Sequence, residues 1–252
     1  RIEIETTHDP IGEATNQVSK ELLFFDFEAV GSFAVDPLIF DEISLLCHFD
    51  GADAATTAID ESNENATLTF VASAQIDTAQ SVFGGASLLL DGAGDYVSAP
   101  DNARYEFGSA DFTIECRGRF NGDPGTADMV FVSKWETSGN QRSFLFRLTN
   151  NLLEFGYSTD GSSTTLLSEA WNPAGATQYA VAVTRIGANL RLFVDGVLLG
   201  VASDISTDSI FGGTQELRIG ARGVSGVADE FDGWIDEIRI INGTGLYLHI
   251  SH

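Results

Sequence analysis

From Ile43 onward the sequence breaks into short apolar runs separated by clusters of Gly, Asn, Asp and Ser. Several runs alternate with a period of two, the pattern of a strand with one buried face. In "RSFLFRLT" (142–149), Phe144 and Phe146 oppose Leu145 and Arg147; in "TQYAVAVTR" (177–185), Tyr179, Val181 and Val183 share one face. The pattern predicts strands over 43–49, 66–72, 86–90, 111–120, 129–135, 142–149 and 152–158. It predicts further strands over 163–168, 177–185, 189–194, 197–202, 216–220 and 233–241. Asp195-Gly196, between "LRLFV" and "VLLGV", predicts a two-residue hairpin with a type I′ turn, whose central residues both need positive φ. Asn150-Asn151 and Asp160-Gly161 repeat that turn chemistry, and no segment sustains a helical period. The expectation is an all-β sandwich of two antiparallel sheets.

Residues 1–42 do not follow this pattern. A short alternation, "RIEIE", leads into a polar stretch and then into the Phe-rich "ELLFFDFEAVGSFAVDPLIF", with ten acids against two bases in the whole segment. So apolar a stretch needs a surface to cover it. We read 1–42 as an N-terminal extended arm or docking segment and 43–252 as the folded domain.

Composition agrees with sheets and turns: of 252 residues, 18 are Phe and 26 Gly, against 5 Pro and 1 Met. The formal net charge is −24, and only Lys20 and Lys134 among thirteen basic residues are lysine. That field disfavours nucleic acid and anionic membranes and favours Ca²⁺ or a basic protein surface. No run approaches the roughly 18 apolar residues of a membrane span. Cys47 and Cys116 sit inside apolar runs and read as buried free thiols rather than a disulfide framework or a zinc site.

Four segments, "VFGGASLLLDGAGDYVSAPD" (82–101), "FGSADFTIECRGRF" (107–120), "LRLFVDGVLLG" (190–200) and "FDGWIDEIRIINGTGLY" (231–247), resemble the ordered motifs of laminin-G-like modules. These belong to the concanavalin-A-like jelly-roll group, and the resemblance covers about 44–247. The opening "LLCHFDGADAATTAIDES" and the closing "DEIRIINGTGLY" look most like variants in tailed-phage virion proteins and bacterial surface proteins. The resemblance implies a two-sheet jelly roll and a structural Ca²⁺ near the last long strand. Cys116 and Arg117 stand where relatives usually carry an aromatic and a Trp.

The acid-rich "DEFDGWIDEIRI" (229–240) raises the question of catalysis. Glycosidases of this architecture need two carboxylates on one face, about 5–9.5 Å apart. Alternation puts Asp236 and Glu237 on opposite faces, and the row of Glu230 and Asp232 continues into Trp234 rather than a third acid. The expectation is no enzyme. Asp236, in line with Ile238 and Ile240, is expected to turn inward, where it must either cap backbone amides or hold Ca²⁺ with acids such as Asp50 or Asp95. For glycans, the candidate platforms are Trp135, Tyr157 and Trp171.

Two functions from different classes fit. The first is a non-enzymatic virion structural protein, a head decoration or tail-fibre module on the virion exterior. Its arm would contact other virion proteins, its domain would meet host-surface glycans, and it would assemble as a homo-oligomer. The second is a secreted or cell-surface carbohydrate-binding adhesin of an environmental bacterium.

Overall fold

The computed structural model describes residues 39–247. The arm assigned to 1–42 therefore lies outside the described residues, apart from its last four. Those form a one-turn helix, α1 (Ile39–Glu42).

Seventeen strands follow among the described residues. They are β1 (Ile43–Cys47), β2 (Thr69–Val71), β3 (Gln75–Asp77), β4 (Ser87–Asp91), β5 (Tyr96–Ala99), β6 (Phe112–Phe120), β7 (Met129–Glu136), β8 (Gln141–Thr149) and β9 (Leu152–Tyr157). The remainder are β10 (Thr165–Ala170), β11 (Gln178–Ile186), β12 (Asn189–Val194), β13 (Val197–Asp204), β14 (Leu217–Ile219), β15 (Arg222–Gly223), β16 (Val227–Ala228) and β17 (Asp232–Asn242). The first sheet has the order β13-β12-β11-β6-β17-β4-β3, with β1 also on β17. The second has the order β10-β9-β8-β7-β14-β5-β2, with β15 and β16 attached at β7. Every predicted strand is present, all but 189–194 with shifted ends, and the sandwich is the expected all-β one. The pattern missed β3, β5, β15 and β16, each four residues or fewer and too short to show a period.

The two sheets close on an aromatic core. Phe107 stacks on Phe112 with centroids 4.2 Å apart, and Phe120 on Phe231 at 5.2 Å. Phe144, Phe146 and Phe155 fill the space between them, all buried, because period two sends each Phe of β8 and β9 to the same side. Cys47 and Cys116 are buried free thiols. The turn at Asp195-Gly196 has φ of 47° and 77°, as type I′ requires.

Strand β17 departs from simple alternation. Its register on β6 runs Trp234 with Arg119 and Asp236 with Arg117, then slips so that Arg239 meets Glu115. One residue is extra on β17, and Glu237 takes it up in the left-handed region at φ 52°. Ile235 before the slip and Ile238 and Ile240 after it all join the core. Trp234 and Asp236 therefore share the outer face with Arg239. The expected inward Asp236, in line with Ile238 and Ile240, is corrected: the bulge reverses the phase between them. At the start of the strand, Gly233 has φ 144°, and a Cβ there would lie 2.1 Å from the Arg119 carbonyl oxygen, so only glycine fits.

Candidate functional site

Asp236 lies on the outer face of the first sheet yet is 1% exposed. The segment between β3 and β4 covers it, and the Val82 N–H donates to Asp236 Oδ2 at 2.7 Å. Glu237, swung out by the bulge, is equally buried and meets His48 Nδ1 at 2.8 Å, while His48 Nε2 stands 3.6 Å from Glu61. Burial pushes the Asp236 carboxyl up to about 7, with the Glu237 charge adding to the rise and the Val82 amide opposing it. Burial also raises Glu237, outweighing the His48 hydrogen bond, and that same hydrogen bond raises His48. The neighbouring Trp234 donates Nε1–H to Asp77 at 2.6 Å, with the Arg119 guanidinium 5.4 Å above its ring. Sequence reasoning missed the partnership of His48 and Glu237, because β1 and β17 stand 189 residues apart at this contact and nothing local links them.

The expected calcium ligands do not converge. Asp95 is buried but spends both oxygens on backbone amides, Ser73 at 2.7 Å and Asp91 at 3.0 Å. Asp50 is exposed and lies against Gly84, where its Oδ1 would be 1.6 Å from an added Cβ. Asp236 is capped by Val82. Among the described residues no group of three or more His, Cys, Asp or Glu side chains is placed to hold a metal. Asp50, Asp95 and Asp236 do not fit a Ca²⁺ cage, which needs six to eight oxygens around one point.

The three expected sugar platforms separate. Trp135 is only 6% exposed and packs with Val130 and Leu145. Tyr157 is buried in the core, and its hydroxyl donates to Asp208 at 2.5 Å. Neither offers a ring face to solvent. Trp171 is half-buried at the sandwich end where the β6–β7, β8–β9 and β10–β11 loops meet. Its backbone N–H donates to the Asn151 carbonyl at 2.9 Å. Its ring stands edge-on to Tyr179 with centroids 5.3 Å apart and touches Phe120 at 5.9 Å. The Tyr179 hydroxyl in turn accepts the Ala174 N–H at 2.9 Å. Gly175 packs so closely on Gly122 and Asp123 that a Cβ would lie 2.3 Å from their backbone. Trp171 is thus packed against Tyr179, Phe120 and Phe131 and tied to the β8–β9 turn.

Two measurements follow. The Asp236 carboxyl rises from an ordinary 3.8 to about 7, so the folded protein holds the proton more tightly than the unfolded chain. Its stabilising contribution is complete below the unfolded value and is lost as pH rises through about 7. Asp236→Asn removes the charged form. Its melting temperature relative to the parent should rise between pH 5 and pH 8, by the equivalent of about 2–4 kcal/mol; a constant offset contradicts the assignment. Excess Ca²⁺ or EDTA should leave the melting curve of the parent unchanged, and a clear shift with either would mean that a metal site exists.

With this geometry in place, comparison with known proteins is informative. The profile of the family described as the Concanavalin A-like lectin/glucanases superfamily, laminin-G type, matches residues 91–244. No curated protein matches. Among solved structures, the receptor binding domain of botulinum neurotoxin D superposes with a TM-score of 0.61 at 15% identity, over 82% of this chain and 50% of that one. The binding domain of Paraclostridial Mosquitocidal Protein 1 gives 0.63 at 12%, over 82% and 50%. The ligand binding domain of botulinum neurotoxin serotype D in complex with N-acetylneuraminic acid gives 0.62 at 14%, over 83% and 49%. The chain spans about half the length of these structures, and at such identities the likeness is one of fold. With the family profile matched over more than half of its length, the chain belongs to the Concanavalin A-like lectin/glucanases superfamily, in its laminin-G-like branch.

Proposed function

We propose that this chain is a non-enzymatic recognition module that binds glycans at the loop rim around Trp171 and is displayed on the exterior of a virion. The observation that carries the glycan reading is Trp171 itself. Of the three candidate aromatics, it is the one with accessible surface, and its edge-on contact with Tyr179 fixes the ring before any ligand arrives. The fold supports the same reading. One structural neighbour is a toxin domain in complex with N-acetylneuraminic acid, and another is a toxin domain in complex with rat synaptotagmin II. The absence of catalysis is supported by the acids of β17, since Asp236 and Glu237 are buried at 1% and 2% and committed to an amide and to His48. The virion setting rests on the sequence alone: the phage-like opening and closing motifs, the apolar arm 1–42 and a net charge of −24.

On a broad glycan array the full chain should retain at least one class of oligosaccharide. Trp171→Ala should weaken that binding about tenfold or more, while Tyr157→Phe, a buried position, leaves it unchanged. Trp171→Phe keeps the ring packing and should bind better than the Ala variant, which separates loss of the platform from loss of the fold. A silent array, or equal binding by all four proteins, contradicts the reading. For the virion setting, the chain should co-sediment with particles, and removal of residues 1–42 should release a domain that still melts cooperatively. A truncated domain that stays on the particle overturns the role given to the arm.

A further inference from the structure

Strands β13, β3, β10 and β2 end the strand orders of the two sheets, and all but β10 are blunted. β2 and β3 are three residues long. β13 slips in register on β12 between Leu190 and Leu192, with Gly200 in the left-handed region at φ 60°. Short edges and bulges are devices by which a sheet avoids pairing with other chains. β10 has neither. Its six residues run in unbroken register on β9, from Thr165 with Tyr157 to Ala170 with Leu152. The strand, "TLLSEA", also lacks the lysine or proline that guards an exposed edge.

Register decides which backbone groups face outward. Asn150-Asn151 joins β8 to β9 with Thr149 opposite Leu152, so Leu152 bonds back to β8 and Leu153 turns its backbone towards β10. The Trp171 backbone N–H reaches the Asn151 carbonyl in the same phase. Glu169, Leu167 and Thr165 therefore bond Leu153, Phe155 and Tyr157. The N–H and C=O groups of Leu166, Ser168 and Ala170 point to the open side, and among the described residues no backbone hydrogen bond engages them. Leu166 adds a side chain that is 53% exposed. Open backbone groups beside an exposed leucine are a template for one added strand.

Charge selects the occupant. The charged side chain of β10 is Glu169, which lies against Gly200 of β13, where an added Cβ would be 1.9 Å from its carboxyl carbon. Asp160 precedes β10, and Asp204 closes β13. The arginines of β8 are engaged, Arg142 on the Ser162 carbonyl and Arg147 on Glu154 and Asp229. A second copy would bring another net charge of −24, whereas a basic segment meets an opposite field.

We propose that β10 is a docking edge for an extended, basic segment of a partner protein, which adds a further strand to the second sheet. The backbone of that segment bonds Leu166, Ser168 and Ala170. Period two puts Leu166 and Glu169 on opposite faces, so the segment alternates apolar residues beside Leu166 with Lys or Arg beside Glu169. The edge is independent of the glycan reading of the rim, and either holds without the other.

The probe is the acetylated and amidated peptide Lys-Val-Lys-Val-Lys-Val-Lys, titrated into the ¹⁵N-labelled full chain. The Leu166, Ser168 and Ala170 amides should exchange freely without it and slow by about tenfold or more at saturation. Binding should weaken as salt rises, and the same peptide with Glu for each Lys should not bind. Leu166→Lys replaces the exposed leucine with a like charge and should lower affinity by about tenfold. Ala170→Pro removes one outward N–H without breaking a bond to β9, and should weaken binding in a chain that still melts cooperatively. Val201→Ser alters a side chain of β13 that is 76% exposed and should leave binding unchanged. Amides that stay open under peptide, equal binding by Leu166→Lys or by the acidic peptide, or a loss confined to Val201→Ser would each overturn the proposal. Self-association of the free chain that Leu166→Lys dissolves gives the edge to a second copy and overturns it as well.

Discussion

Strand β17 must supply core residues along its length while carrying charged residues on its other face, and one inserted residue makes that possible. Placing Glu237 in the left-handed region costs about 1–2 kcal/mol for a residue with a Cβ. At the bulge the Glu237 carboxylate accepts a hydrogen bond from His48 Nδ1 at 2.8 Å. Because β17 lies between β6 and β4 and also pairs with β1, its phase sets what every neighbouring strand meets. Ile235, Ile238 and Ile240 reach the aromatic core, while Trp234, Asp236 and Arg239 stand on the outer face. A strand without the extra residue would bury Arg239 among phenylalanines or expose Ile240.

The charge left on that outer face is managed by local pairing. Asp236 is capped by an amide, Glu115 by Arg239 and the Tyr247 hydroxyl, and Trp234 by Asp77 and Arg119. These pairings occupy Asp77, Glu115 and one oxygen of Asp236, while Asp236 Oδ1 is buried without a hydrogen bond among the described residues. Partly accessible aromatic surface remains at the loop rim, where Trp171 is half-buried. Beneath it, β7, β8 and β9 are joined by hydrogen-bonded ladders, and Phe131 of β7 packs on Phe146 of β8.

Much of the sandwich was legible because the signals are local. Period two in "RSFLFRLT" and Asp195-Gly196 between two apolar runs depend only on neighbouring residues, and the structure has the strands and the positive-φ turn they predict. The site was far less legible. Trp135, Tyr157 and Trp171 look alike in sequence, each an aromatic near a strand end, yet two are buried and one is at the rim. Asp50, Asp95 and Asp236 look like a set of oxygen ligands, yet Asp95 and Asp236 accept from separate backbone amides and Asp50 is exposed. Burial and convergence depend on which strands become neighbours, and a run of residues carries no record of that.

By itself the sequence determined the all-β class, the strands longer than four residues, the tight turns and the inward Phe rows, since each follows from side-chain alternation and backbone preference over a few residues. Tertiary structure decided the phase of β17, the burial of Asp236 and Glu237, the partner of His48 and the exposure of Trp171. Those outcomes arise from register between strands distant in the chain, where one extra residue at Glu237 reverses which face a side chain takes.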